Sequence, residues 1–70
     1  MNAKKLGKNI KTFRELSGMT QVKVSKKIGI HQTAYSRIET GQQRVSALQL
    51  YKLSHLFWVR MDDFFSETRK

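Results

Sequence analysis

Residues 20–41 read TQVKVSKKIGIHQTAYSRIETG, and this stretch decides the fold. Thr20 is a good helix N-cap, because its side-chain oxygen accepts a backbone N–H of the first turn. Met19, just before it, stands at the staple position and packs inward. The spacing predicts a helix to about Lys27, with Val24 and Ile28 four apart on the buried side. Ser25 is small and lets another helix pass close by. Gly29 ends the helix, since a left-handed residue there strains a glycine least. After a buried Ile30, a second helix is expected from about Gln32 to Glu39. Tyr35 and Ile38, three apart, face inward, while Gln32, Thr33, Ser36 and Arg37 share the other side. Gly41 terminates it. The stretch is therefore two short helices joined by a sharp turn, the second with polar, base-capable side chains on one face.

The flanks read as scaffold. Residues 1–17 form a first helix, with Leu6, Ile10, Phe13 and Leu16 as one apolar stripe, Asn2 as its cap and Gly18 as its stop. Lys4, Lys5, Lys8 and Lys11 lie on other faces, either as a solvated surface or as an approach to phosphate. Residues 42–45 are a polar connection. Ser46 caps a fourth helix, whose apolar face is Leu50, Leu53, Leu56 and Phe57, with Tyr51 beside it. Residues 57–60 make a turn. Residues 61–66 make a short fifth helix, with Asp62 and Asp63 favourably placed in its first turn and Phe64 and Phe65 as two anchors. Residues 67–70 read as a frayed tail. There is no strand alternation or repeat, and the lack of proline suits an all-α, five-helix single domain over residues 1–70, with its core at about 6–66.

Seventy residues without a cysteine leave no disulfide or thiolate metal site to support the fold, so helix packing must supply the core. Charge is unevenly placed. The chain carries 14 Lys plus Arg against 5 Asp plus Glu, a net +9; residues 1–44 hold +8 of this and residues 45–70 only +1. A concentrated positive field implies a polyanionic partner, most often nucleic acid and sometimes an anionic membrane; the bland alternative is a soluble basic surface. No apolar signal region follows the basic N-terminus, and no apolar run approaches the ~20 residues of a membrane span, so a cytosolic location is expected. Catalysis finds little to work with. His31 and His55 lie on different helices, Asp62 and Asp63 point different ways around a helix, and no glycine-rich phosphate loop is present. No enzyme activity, cofactor or metal is expected.

A helix pair joined by a short glycine-containing turn is the helix-turn-helix signature. The sequence resembles the phage repressor, Cro and XRE-type family of bacterial regulators over roughly residues 10–65. The resemblance rests on Gly18-Met19-Thr20-Gln21, Val24, Ile28-Gly29-Ile30, Arg37-Ile38-Glu39-Thr40-Gly41, and Ser46 followed by a leucine-rich helix and Met61-Asp62-Asp63-Phe64-Phe65. It implies a compact lambda-repressor-like domain that places the second helix of the pair in the major groove of double-stranded DNA. Carried over by position, it implies that Gln21 holds a phosphate and buttresses the recognition helix. Gln32 and Thr33 reach bases, Gln32 with the bidentate geometry that suits adenine. Ser36 and Arg37 touch bases or flanking backbone, and Arg37 can fork onto guanine. Thr40, Gln42, Gln43 and Arg44 grip phosphates. Arg14 and Glu39 form a structural ion pair that sets the helix angle. Lys23, Lys26 and Lys27 read as a solvated face, of which Lys23 is the one assigned to phosphate.

Three residues depart from the family pattern. His31 stands where Ser or Thr caps the recognition helix; it is a poorer cap but can donate to phosphate, or is simply an exposed loop histidine. Tyr35 replaces an aliphatic core residue and brings a hydroxyl that needs a partner. Trp58 stands where glycine ends the fourth helix, either as a dimer anchor beside Phe57, Val59 and Arg60 or as a ring folded over the core. Leu48 and His55 border the same patch. A homodimer is expected, because one recognition helix reads only a few base pairs and a two-fold pair reads two half-sites. The leading expectation is a dimeric, sequence-specific transcriptional repressor. Alternatives are an antitoxin bound to a toxin, a restriction–modification controller protein, or a module that uses the same helices to bind protein.

Overall fold

The computed structural model describes residues 1–67; of the expected frayed tail, residues 68–70 lie outside the described residues. Four α-helices, α1 (Ala3–Leu16), α2 (Gln21–Ile28), α3 (Gln32–Thr40) and α4 (Ala47–Phe57), are followed by a 3-10 helix, Met61–Phe65. No strand occurs among the described residues.

Each helix starts where a side chain takes up an orphan amide. Asn2 accepts from Lys5 N at 2.9 Å and Thr20 from Lys23 N at 3.1 Å. His31 does cap α3: its Nδ1 accepts from Thr33 N at 3.1 Å. Ser46 and Gln49 form a reciprocal capping box, Ser46 Oγ accepting from Gln49 N and Gln49 Oε1 from Ser46 N. The turn between α2 and α3 closes on Gly29, with φ +78°, as Ile30 N reaches back to Ser25 O at 3.0 Å.

The core is Ile10, Val24, Ile28, Tyr35, Ile38, Leu50, Leu53, Phe57 and Phe64, with Leu6, Phe13, Met19, Ile30 and Leu56 packed around it. Phe13 and Phe57 both meet the Phe64 ring edge to face, at centroid distances of 5.5 and 6.5 Å. α1 lies directly on the end of α3. A Cβ on Gly7 would overlap the carbonyl oxygens of Ile38 and Glu39, and one on Gly41 would lie 2.6 Å from Lys4 Cα. Only glycine permits so close an approach of two backbones.

Four expectations need correction. Leu16 is 74% exposed, because the inward position on the last turn of α1 belongs to Arg14. The fifth helix is 3-10, not α: five residues are too few for a ladder of i→i−4 bonds, and Asp63 caps the turn by accepting from Arg60 N at 2.9 Å. It supplies one anchor, not two. Phe64 is fully buried and Phe65 46% exposed, as adjacent residues on a three-fold helix point about 120° apart. Glu67 is no loose end, since its carboxylate pairs with the Met1 ammonium.

Candidate nucleic-acid interface

α3 buries Tyr35, Ile38 and Glu39 and turns Gln32, Thr33, Arg37 and Thr40 to solvent, with Ser36 half-buried between them. Together with Gln21 and Gln42, these side chains line one continuous shallow polar depression. All seven carry an amide, hydroxyl or guanidinium that can donate to a base edge or phosphate oxygen, and none carries a negative charge. The groove face is formed because the 3.6-residue period puts Gln32, Ser36 and Thr40 in one row and Thr33 and Arg37 in the next.

The angle of this face is fixed from behind. Arg14 Nε donates to Glu39 Oε2 at 2.6 Å and Nη2 to Oε1 at 3.3 Å, while Nη1 donates to Met19 O at 2.8 Å. Gln21 Nε2 donates to Glu39 Oε1 at 2.8 Å. One buried carboxylate thereby ties α1, the α1–α2 turn, the first residue of α2, and α3. Burial pushes the Glu39 carboxyl up, but the hydrogen bonds from Arg14 and Gln21, the dipole of the nearby Tyr35 hydroxyl and the charge of Arg14 outweigh it and hold the group below its ordinary range. The hydrogen bond to Glu39 in turn raises Arg14, so both stay charged. Burial, reinforced by the Glu39 charge, raises the Tyr35 phenol. That hydroxyl lies beside the ion pair but makes no hydrogen bond of ordinary geometry.

The remaining residues expected at the DNA backbone are not all free to act as donors. Thr40 Oγ1 points back to the carbonyls of Ser36 and Arg37, at 3.4 and 3.2 Å. The Gln42 and Gln43 amides both bond Arg37 O, so these two residues have their side chains, not their backbones, to offer. Gln43 and Arg44 line a different depression, shared with Asn2, Leu6 and Val45 beside the start of α1. His31 has Nδ1 engaged in the cap, which leaves Nε2 for any phosphate. Lys23 is exposed on α2, outside the depression.

The residues expected at a dimer face divide. Phe57 is a correction: at 6% exposure it belongs to the core, because it follows Leu50 and Leu53 along the inward side of α4. Val59 is half-buried against the core. Leu48, His55, Trp58 and Arg60 are exposed. Tyr51 joins them. It was expected beside the inward face, but it is 53% exposed and its ring meets His55 edge-on at 4.4 Å. The spacing of 48, 51, 55 and 58 was the available signal. Among the described residues no group of three or more His, Cys, Asp or Glu is placed to hold a metal ion. No helix among them is long and apolar enough to cross a membrane.

A short capped helix, a glycine turn and a second helix with an outward polar row define a helix-turn-helix DNA-binding domain. The helix-turn-helix family model matches residues 10–64. The chain is 34% identical over 56 residues to an uncharacterized HTH-type transcriptional regulator of Archaeoglobus fulgidus, covering 80% of each. Among solved structures, it superposes on the restriction-modification controller protein C.AhdI from Aeromonas hydrophila with a TM-score of 0.84 at 22% identity, covering 90% of this chain and 96% of that one. The clp gene regulator ClgR from Corynebacterium glutamicum gives 0.86 at 22% identity, over 90% and 67%. The chain belongs to the XRE-type helix-turn-helix family and is a transcriptional regulator of that class.

Proposed function

We propose that the protein binds a two-fold symmetric DNA operator as a homodimer and represses transcription by occluding a promoter. The observation that carries this is the single depression in which Gln21, Gln32, Thr33, Ser36, Arg37, Thr40 and Gln42 converge on the outward side of α3. In this reading α2 crosses the phosphate backbone and presents its free N-terminal amides and positive dipole end, with Gln21 at its first position. α3 enters the major groove. Gln32 and Thr33, on its first turn, read one base step, and Ser36 and Arg37 read the next or hold its backbone. Lys23, His31, Thr40, Gln42, Gln43 and Arg44 supply backbone contacts that fix register without reading sequence. Thr40 does so by releasing its hydroxyl from the Ser36 and Arg37 carbonyls. Glu39 stays out of contact with DNA, its charge spent on Arg14 and Gln21.

The reading is tested by selecting bound duplexes from a random pool. Enrichment of a two-fold symmetric site is expected. Gln32→Ala should then relax preference at one position of each half-site, with a discrimination loss of about 1–3 kcal/mol. Lys23→Ala should weaken all sequences alike. Failure to enrich any site, with affinity insensitive to salt, would overturn it.

A further inference from the structure

The Glu39 carboxylate and the reading depression share one side chain. Gln21 lines the depression together with Gln32, Thr33, Ser36 and Arg37. Its Nε2 also donates inward, to Glu39 Oε1 at 2.8 Å. Gln21 is half-buried, so its amide stands between solvent and the buried ion pair. The two roles compete. A phosphate is a charged acceptor reached from the solvent side, and Glu39 is a charged acceptor reached from the core.

When the Gln21 amide turns outward, Glu39 is left short of a donor. Arg14 Nε stays on Oε2 at 2.6 Å, but Oε1 keeps only Arg14 Nη2, at 3.3 Å. The Glu39 side chain is 1% exposed, so solvent has little access to the vacated place. A buried charged acceptor without its donor is costly. Arg14, Gln21 and Tyr35 are the side chains that act on this carboxylate. Arg14 and Gln21 are already engaged in hydrogen bonds, and the Tyr35 hydroxyl is not. Tyr35 stands four residues before Glu39 on α3, the spacing at which two helical side chains meet. It is fully buried, so its hydroxyl has no solvent to turn to either.

We propose that Tyr35 is a positioning residue for DNA binding: as a backbone phosphate draws the Gln21 amide outward, the Glu39 carboxylate rotates to accept the Tyr35 hydroxyl, and α3 keeps its angle. The inference rests on the DNA reading above and names what stands behind its Gln21 contact. In the free protein Gln21 holds the carboxylate and the phenol is idle; on DNA the two exchange. The Tyr35 hydroxyl therefore acts on affinity without acting on the stability of the free fold. It acts through a phosphate contact, which carries no sequence information.

The test is a double-mutant cycle of Tyr35→Phe and Gln21→Ala, read by binding to the duplex enriched from the random pool and by thermal unfolding of the free protein. Tyr35→Phe should weaken that duplex by about three- to ten-fold, the scale of one hydrogen bond, and weaken its single-base variants by the same factor. Gln21→Ala should weaken binding too. Adding Tyr35→Phe to it should change binding by less than about two-fold, since no amide is left to be replaced. The melts should show the reverse pattern. Tyr35→Phe alone should not lower the melting temperature, but it should do so in the Gln21→Ala background, where the hydroxyl already holds Glu39. The proposal is overturned if Tyr35→Phe binds like wild type, if the two binding effects multiply, or if Tyr35→Phe alone lowers the melting temperature. In each of these cases a wild type that binds its enriched duplex keeps the DNA reading. A wild type that enriches no duplex, with affinity insensitive to salt, overturns both.

Discussion

Glu39 is the residue whose ionisation matters most to this fold. Its side chain is 1% exposed, and three groups donate to it. Its folded pKa lies below its unfolded value, so the stabilisation is complete above the unfolded pKa of about 4.3 and is lost as pH falls through the folded value. Acid titration of stability should therefore show a limb below about pH 4 that Glu39→Gln flattens. The same variant, which leaves the Arg14 guanidinium without its counter-charge, should cost about 3–5 kcal/mol in urea unfolding at neutral pH. Tyr35→Phe tests the neighbouring hydroxyl. As that group is buried and makes no hydrogen bond of ordinary geometry, its removal should leave stability unchanged or raise it by about 1 kcal/mol. A loss of that size instead would show the phenol donating to Glu39. The Arg14–Glu39 pair was legible through the family pattern. The Gln21 bond to the same carboxylate was not, since a glutamine at a helix start has as good a reason to face a phosphate.

At the scale of elements, the caps were readable from single residues because capping is local: Asn2, Thr20 and Ser46 each act within three residues of themselves. His31 was harder, because its capping depends on which ring nitrogen carries the proton. His31→Ala should destabilise by about 1 kcal/mol and His31→Ser should not, as followed by thermal unfolding. α4 shows where pattern reading stops. Leu50, Leu53 and Phe57 compete with Leu48, Tyr51 and Trp58 as candidate inward rows, and the choice is settled by the other helices, not by α4 itself. Hence Phe57, read with Leu50 and Leu53 on the inward row, is also expected at the dimer face, and Tyr51 beside the core. Leu16 failed in the same way, its place on the last turn of α1 being taken by a charged residue with a buried partner. The 3-10 helix was recognised as an element but not by type, because a five-residue pattern fits either period.

For the whole molecule, the separation of a basic half from a nearly neutral one turns a charge count into a salt dependence. Operator affinity should fall linearly in a double-logarithmic plot against salt, by on the order of a thousand-fold between 50 and 200 mM if the pair makes about six phosphate contacts. Competition binding over that range measures it. The fold class and the outward polar row of α3 were legible because both depend on short-range periodicity. The exposed row of Leu48, Tyr51, His55 and Trp58 on α4 was only half legible, because exposure is a property of the assembled domain. The close seating of α1 at Gly7 on the Ile38 and Glu39 carbonyls has a kinetic consequence as well. That contact fixes the final angle of the α2–α3 unit, so it is expected in the folding nucleus, with the five-residue 3-10 helix expected to dock afterwards. In stopped-flow chevrons, Ile10→Val and Ile38→Val should mainly slow refolding, and Phe64→Leu should mainly speed unfolding.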